Sequence, residues 1–409
     1  MRKYILFLMI FTLFFISCGR MDKRLIISLK GSNYSTKKTF KALVNQFHNE
    51  NPDYTISIQI YDEHEFEEDL EFYLNSKYPP DVVTWIGGER MRYYARKNLL
   101  DPINDIMENK FNNKYFPLNL KIPSSMDGKI YLAPHTYYPW VIYYKKSTFQ
   151  KYGITPPKTY DEFLAICEKF KQNNVNPLAI GTKELWTVTP WFDILDLRIN
   201  GLDFHKNLLS NKVPINDVRV KNVFKYWAIL VNNGYFTKDS SKLKNIDALD
   251  SVFFDKAGMT LTAQFIEDYA PQEIKSDLDF FRLPMIDNNV GFYEEALIEG
   301  FIVPKNALHK KEAKEFIKFV TSKKSQQYFT ELSGKIPANL QVKNLDATAK
   351  KSMDIILNSK AITQFYDDQI EEEFLMAIFM GFASFMENPK EIDNILNTLE
   401  EKRNEIYSK

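Results

Sequence analysis

Charge of a single sign is missing from this chain: 53 Lys and Arg residues balance 53 Asp and Glu residues, for a formal net charge of zero. That balance provides no bulk electrostatic pull toward nucleic acid or an anionic membrane. Signatures of catalysis are missing too. There is no Gly-x-x-x-x-Gly-Lys-Ser/Thr loop to cradle phosphates, no His-Glu-x-x-His helix to hold a zinc ion, and no Gly-x-Ser-x-Gly elbow. The five histidines, His48, His64, His135, His205 and His309, are scattered. One cluster has ligand-like residue types, Asp62, Glu63, His64 and Glu65, but acidic residues opening a helix account for it through the helix dipole. No metal and no cofactor is therefore expected. No short-period repeat and no low-complexity tail is present. Cysteine is scarce, with only Cys18 and Cys167.

What is present reads as a two-domain globular protein behind an export signal. At 409 residues the chain is too long for one ordinary core. Its 44% apolar and 26% charged residues are those of a soluble protein. Arg2 and Lys3 form a short basic start, and Ile5 to Ile16 is apolar except for Thr12. That run is too short for a comfortable membrane span and reads as a secretory signal. Its ending, Phe15-Ile16-Ser17-Cys18, resembles a bacterial lipobox, in which the cysteine becomes the lipidated N-terminus of the mature protein. With Cys18 carrying lipid, Cys167 is left alone and no internal disulfide can form. Cys167 shares helical spacing with Phe163, Ile166 and Phe170, the setting of a buried, inert thiol.

Periodicity organises the first hundred residues. Leu25 to Leu29 predicts a strand, and Phe40, Leu43, Val44 and Phe47 predict a helix ended by Asn51-Pro52-Asp53. Tyr54 to Ile60 alternates as a strand, Phe66, Leu70, Tyr73 and Leu74 mark a helix, and Asp81 to Trp85 is a third strand. Strand, helix, strand, helix, strand implies a parallel sheet with right-handed crossovers. Ligands of such sheets sit beyond the carboxyl ends of the strands. Two loops leave those ends, Lys30 to Tyr34 and Trp85 to Gly88. Further on, Ile130 to Ala133 and Trp140 to Tyr144 read as strands, with Pro134 to Pro139 between them as a hinge. Thr159 and Glu162 form a capping box opening a helix. Pro177 to Ile180, Met259 to Thr262 and Phe301 to Val303 read as strands, and Ala313, Phe316, Ile317 and Val320 as a helix. Phe374 to Met386 is apolar but about half a membrane span in length, which predicts a buried helix.

Aromatics make up 15% of the chain, and several fall at strand ends or in breaks. Sugars stack their C–H faces on Trp and Tyr and need polar side chains for their hydroxyls. Trp85, Tyr137, Tyr138, Trp140, Trp186 and Trp191 are such aromatics, and Asp193 and Arg198 follow closely. Core packing explains any one of them alone; together they fit a polar, aromatic-lined cleft. Trp85, Trp186 and Tyr138 are the stacking candidates. Asn33, Asp193, Arg198 and Gln264 are the hydrogen-bonding candidates, with Tyr34, Trp191 and Phe265 beside them.

The chain also resembles the family 1 extracellular solute-binding proteins, the group that includes maltose-binding protein and other sugar-binding lipoproteins. The resemblance is carried by Pro80-Asp81-Val82-Val83, Tyr94-Ala95 and Leu99-Leu100-Asp101-Pro102-Ile103. It continues in Asp127-Gly128-Lys129-Ile130-Tyr131-Leu132-Ala133-Pro134. The most distinctive stretch runs from Tyr143-Tyr144 through Tyr152-Gly153-Ile154 to Pro156-Pro157-Lys158-Thr159-Tyr160-Asp161-Glu162-Phe163. Gly300-Phe301-Ile302-Val303-Pro304 and Gly334-Lys335-Ile336-Pro337-Ala338-Asn339 follow the family's closing pattern. The resemblance implies two α/β lobes, each a mainly parallel sheet flanked by helices, joined by a hinge crossed three times. Expected boundaries are 22–137 with 296–345 for one lobe and 138–295 with 346–409 for the other. It implies a monomer, lipid-anchored outside the cytoplasm, that closes on a solute and is read by the permease of an ABC importer. Its work would be recognition without bond chemistry. Two positions depart from the pattern: Lys145 stands where the family often has Asn, and Gln264-Phe265 where it often has a stacking Trp. The ligand is therefore expected to be a sugar, with a glycerophosphodiester, peptide or polyamine as the alternative. Carboxylate pairs cannot be located from sequence, so an exported glycoside hydrolase is a further alternative.

Overall fold

Alternation along Leu25, Ile27 and Leu29 buries one face of the first strand completely, and a parallel sheet grows from it. A computed structural model describes residues 23–31, 34–61, 63–109, 112–366 and 370–407. Strands β1 (Lys23–Lys30), β2 (Tyr54–Tyr61) and β3 (Val82–Ile86) pair in parallel, with Ile27 opposite Ile58 on one side and Val82 on the other. The helices Tyr34–Glu50 and Glu63–Asn75 are their crossovers, as the periodicity predicts. Asp127 and Gly128, both at positive φ, turn β4 (Ser125–Met126) into β5 (Lys129–Ile130).

The following strands are β6 (Ala133–Pro139), β7 (Val141–Lys145), β8 (Asn176–Ala179), β9 (Ala257–Thr262), β10 (Leu278–Phe281), β11 (Tyr293–Ile302), β12 (Ile336–Pro337) and β13 (Ala361–Thr363). Among the described residues they form a seven-stranded sheet, β12-β6-β11-β3-β1-β2 with β13 beside β11, and a four-stranded sheet, β10-β7-β9-β8. The two-lobed α/β class agrees with the sequence. The sheets, however, are mixed rather than mainly parallel. β11 runs antiparallel to β3 and β6, and β7 runs antiparallel to β9 and β10. The cause is that β6, β7 and β11 serve the crossings between the sheets, so they are not joined to their neighbours by crossover helices.

Two expectations are corrected here. Pro134 to Pro139 is not a loop but part of β6, fully buried, because its partners β11 and β12 cover both edges. The change of sheet falls on Trp140. The short strand expected at Phe301 to Val303 is the end of the ten-residue β11. The stretch before Gly300 carries Glu294, Glu295 and Glu299, which hide the alternation.

Each sheet has its own apolar core. The first gathers Leu25, Ile27, Val82, Ile298 and Phe316, among others. The second gathers Phe163, Phe170, Trp191, Phe224 and Trp227. Thr159 and Glu162 do form the capping box, which starts the helix Tyr160–Gln172 and buries Phe163, Cys167 and Phe170. In the helix Glu372–Glu387, Phe374, Ile378, Phe382 and Phe385 lie on one buried face against Phe224 and Trp227. Burying each such ring contributes about 2–3 kcal/mol. No helix among the described residues is long and apolar enough to cross a membrane. Cys18, Asn33 and Asp62 lie outside the described residues.

Candidate functional site between the lobes

Period-two geometry sorts the aromatics of β6. Tyr137 faces the core of the first lobe, while Tyr138 and Trp140 turn together to the other side. There Trp140 is met edge-on by Phe365 at 4.8 Å, Phe265 at 5.5 Å and Trp186 at 6.5 Å between ring centroids. These rings come from four separate stretches of chain. Trp186 and Phe265 are half-buried, whereas Trp140 is 7% exposed. Among the described residues the buried Trp140 indole N–H has no hydrogen-bond partner, so it is a donor available to a guest.

Polar groups border this aromatic cluster. The Tyr138 hydroxyl donates to Glu299 Oε1 at 2.7 Å. Lys335 Nζ stands 3.7 Å from Glu299, 3.9 Å from Asp268 and 5.5 Å from the Tyr138 ring centre. Burial alone would raise the Glu299 carboxyl, but the Lys335 ammonium and then His135 pull it down to about 2. Burial does raise Asp268, against the opposing pull of Lys335. Gln264 donates Nε2 to the Gly334 carbonyl at 2.7 Å, while its Oε1 has no partner among the described residues. Donors, acceptors and flat rings thus converge between the seven-stranded sheet, which carries Tyr138 and Glu299 with Lys335 just before β12, and the segments after β8 and β9, which carry Trp186, Gln264, Phe265 and Asp268.

The residues singled out from sequence divide by location. Tyr138, Trp186, Gln264 and Phe265 come together here. Trp85, 4% exposed, packs between Phe66 and Tyr94 in the first core. Trp191, 1% exposed, packs edge-on against Phe236 in the second core. Arg198 is wholly buried and spends its guanidinium on the protein, donating to the Leu283 and Tyr293 carbonyls and to Glu294 at 2.7 Å. Asp193 is wholly buried and accepts from the Tyr366 backbone N–H at 2.9 Å. Tyr34 opens the helix Tyr34–Glu50. Lys145, one of the two departures from the family pattern, is 8% exposed and donates to Asp255 and to the Phe253 carbonyl. Sequence reasoning missed Asp268, Glu299, Lys335 and Phe365. Only Lys335 had a signal, its place inside Gly334-Lys335-Ile336-Pro337.

Comparison with known proteins addresses the family and the fold. The sequence profile of the bacterial extracellular solute-binding proteins matches residues 31–327. The chain belongs to that family. An uncharacterised ABC transporter extracellular-binding protein of Pyrococcus horikoshii is 29% identical over 263 residues. That match takes in 63% of this chain and 58% of the relative's length, so the chain spans less than two thirds of that protein. The multiple sugar-binding protein of Streptococcus mutans is 24% identical over 56% of this chain and 54% of its own. Among solved structures, the bacterial solute receptor AcbH superposes with a TM-score of 0.89 at 27% identity, over 94% of this chain and 100% of that one. AcbH is described as having an exclusive preference for β-D-galactopyranose. A chitin oligosaccharide binding protein shares the fold, with a TM-score of 0.83 at 19% identity over 94% of this chain and 99% of its own.

Proposed function

We propose that this solute-binding protein captures a small sugar between its lobes and delivers it to the permease of an ABC importer. The carrying observation is the meeting of Trp140, Trp186, Phe265 and Phe365 with Tyr138, Glu299, Lys335 and Asp268 across the two lobes. Aromatic faces take the C–H face of a pyranose, and the charged groups take its hydroxyls. The likeness to AcbH over nearly the whole fold supports a single hexose as the first ligand to try. The mechanism is recognition: ligand binds the closed state better than the open one, and that difference in affinity moves the lobes.

On this reading the pivots are Trp140, residues 282–292 and residues 364–366, where the chain passes between the sheets. The protein acts as a monomer outside the cytoplasm, tethered by lipid on Cys18. Failure of labelled palmitate to enter the protein, or its entry into a Cys18→Ala variant, would refute the tether. For the ligand, a thermal-shift screen of hexoses, oligosaccharides, glycerophosphodiesters, peptides and polyamines is decisive. A ligand at about a hundred times its dissociation constant stabilises the fold by about 2.7 kcal/mol. A shift confined to sugars supports the proposal; a shift only with another class keeps the importer role and discards the carbohydrate.

A further inference from the structure

The helix Lys323–Ser333 ends at Gly334, whose φ of 70° is the left-handed cap that glycine supplies. The turn presents Lys335 just before β12, at the seven-stranded sheet. Its ammonium lies 3.7 Å from Glu299 on β11 of that same sheet, and 3.9 Å from Asp268, which follows β9 of the four-stranded sheet. The Lys335 and Asp268 side chains are 9% and 11% exposed. One lysine thus bridges carboxylates carried by the two sheets.

Asp268 meets a second source of positive potential. Its carboxylate also accepts from the Thr36 hydroxyl, in the first turn of the helix Tyr34–Glu50 that leads from β1 to β2. That turn holds no acidic residue of its own. The positive end of a helix favours a carboxylate, and here the carboxylate comes from across the cleft. Lys275 adds to the attraction on Asp268, and Glu299 opposes it less strongly than Lys335 favours it. The neighbouring bond from Gln264 to the Gly334 carbonyl docks the same short segment a second time.

We propose that Asp268 is an electrostatic catch on closure, engaged by Lys335 and by the start of the helix Tyr34–Glu50 when the two sheets approach. The inference rests on the reading of two lobes that close on a solute. With the sheets parted, both charges face water, where their attraction is small and screened by salt. Approach removes water from around them and strengthens it. Affinity for a solute that carries no charge then depends on ionic strength, because salt acts on the protein's own ion pair and not on the ligand. The ionic strength of the surroundings thereby regulates capture.

The test titrates the whole protein with D-galactose, an uncharged hexose, in a calorimeter at about 20 mM and about 500 mM NaCl, between which the screening length falls from about 20 Å to about 4 Å. Affinity should fall about three- to fivefold with the added salt, the range of a partly exposed ion pair. Asp268→Asn keeps an acceptor for Thr36 and loses the charge. It should bind about three- to fivefold more weakly than the wild type at low salt and be insensitive to salt. Lys335→Met leaves Asp268 facing Glu299, so the sign should reverse and affinity should rise with salt. A merely structural role for either residue would move affinity without moving this dependence. Wild-type affinity for galactose that is equal at both salt concentrations overturns the catch and leaves the sugar reading standing, as does a salt dependence unchanged in Asp268→Asn. Absence of galactose binding counts against the hexose, and the catch is then read by solution scattering of the ligand-free protein at low salt. A larger radius of gyration in Asp268→Asn than in the wild type supports it, and an equal radius overturns it.

Discussion

Gln264 of the second lobe donates its side-chain amide to the carbonyl of Gly334 in the first, at 2.7 Å. On the proposed reading of two lobes that close on a solute, this bond is one that closure would form. Replacing Gln264 with Ala removes a contact worth about 1 kcal/mol. Affinity for the solute should fall roughly fivefold. The unliganded protein should show a larger radius of gyration in solution scattering. An unchanged radius together with unchanged affinity would mean that this contact takes no part in closure.

Among the tryptophans, burial predicts opposite consequences. Trp186→Ala should weaken ligand binding at least tenfold while moving the melting temperature little, because its ring is half-buried at the cleft. Trp191→Ala should cost about 3–5 kcal/mol of stability, since its ring is sealed in the second core. Calorimetric titration beside a melting curve separates the two. Equal losses of stability would contradict the placement of Trp186.

Two groups, one buried and one half-buried, tie stability to pH with opposite signs. The His135 ring lies among Phe40, Phe301 and Phe329. Burial is the main cause that pushes it down to about 4, with Glu299 and Lys335 as the charged groups facing it. The unfolded chain takes up a proton near 6.5 that the folded chain refuses until about 4. Stability from this residue is therefore complete above pH 6.5 and falls by about 3 kcal/mol on the way down to pH 4. A His135→Phe variant should lose this slope in urea titrations between those limits.

Glu267 works the other way. Burial, then Asp346, raises its carboxyl to about 7, with Asp268 adding to the rise and Gln264 and Lys275 opposing it. The folded chain keeps a proton that the unfolded chain releases near 4.5. Stability from Glu267 is complete below pH 4.5 and is lost as pH rises toward 7, again by about 3 kcal/mol. In the wild type the two slopes largely cancel. Glu267→Gln should expose the acid-side loss caused by His135, and a flat profile in that variant would refute both assignments.

Parts of this molecule were legible because their physics is local. Strands β1 to β3 follow from alternation, and the helix start at Thr159 from side chains three residues apart. β11 was largely illegible. Its glutamates serve an ion pair with Arg198, the hinge and the cleft, so the strand gives up the apolar pattern that would announce it. β6 was hidden by Pro134 and Pro139, which a strand tolerates only with the partners this fold supplies. Within the site, an aromatic residue at a strand end is equally suited to core or cleft. Trp85 and Trp186 are indistinguishable until the folded chain buries one and leaves the other half-open. Glu299 and Lys335 are adjacent only because β11 and the segment before β12 meet across β6.

The sealed thiol of Cys167 has a practical side. Burial pushes it well above its ordinary range, and it is the only free cysteine among the described residues. Expressed without residues 1–18, the folded protein should resist maleimide dyes. One cysteine engineered onto the rim of the cleft would then be the sole attachment point for a fluorophore, and lobe movement would become an optical signal. The same packing that makes Cys167 chemically silent suits this protein as the chassis of a reagentless sensor for its own solute.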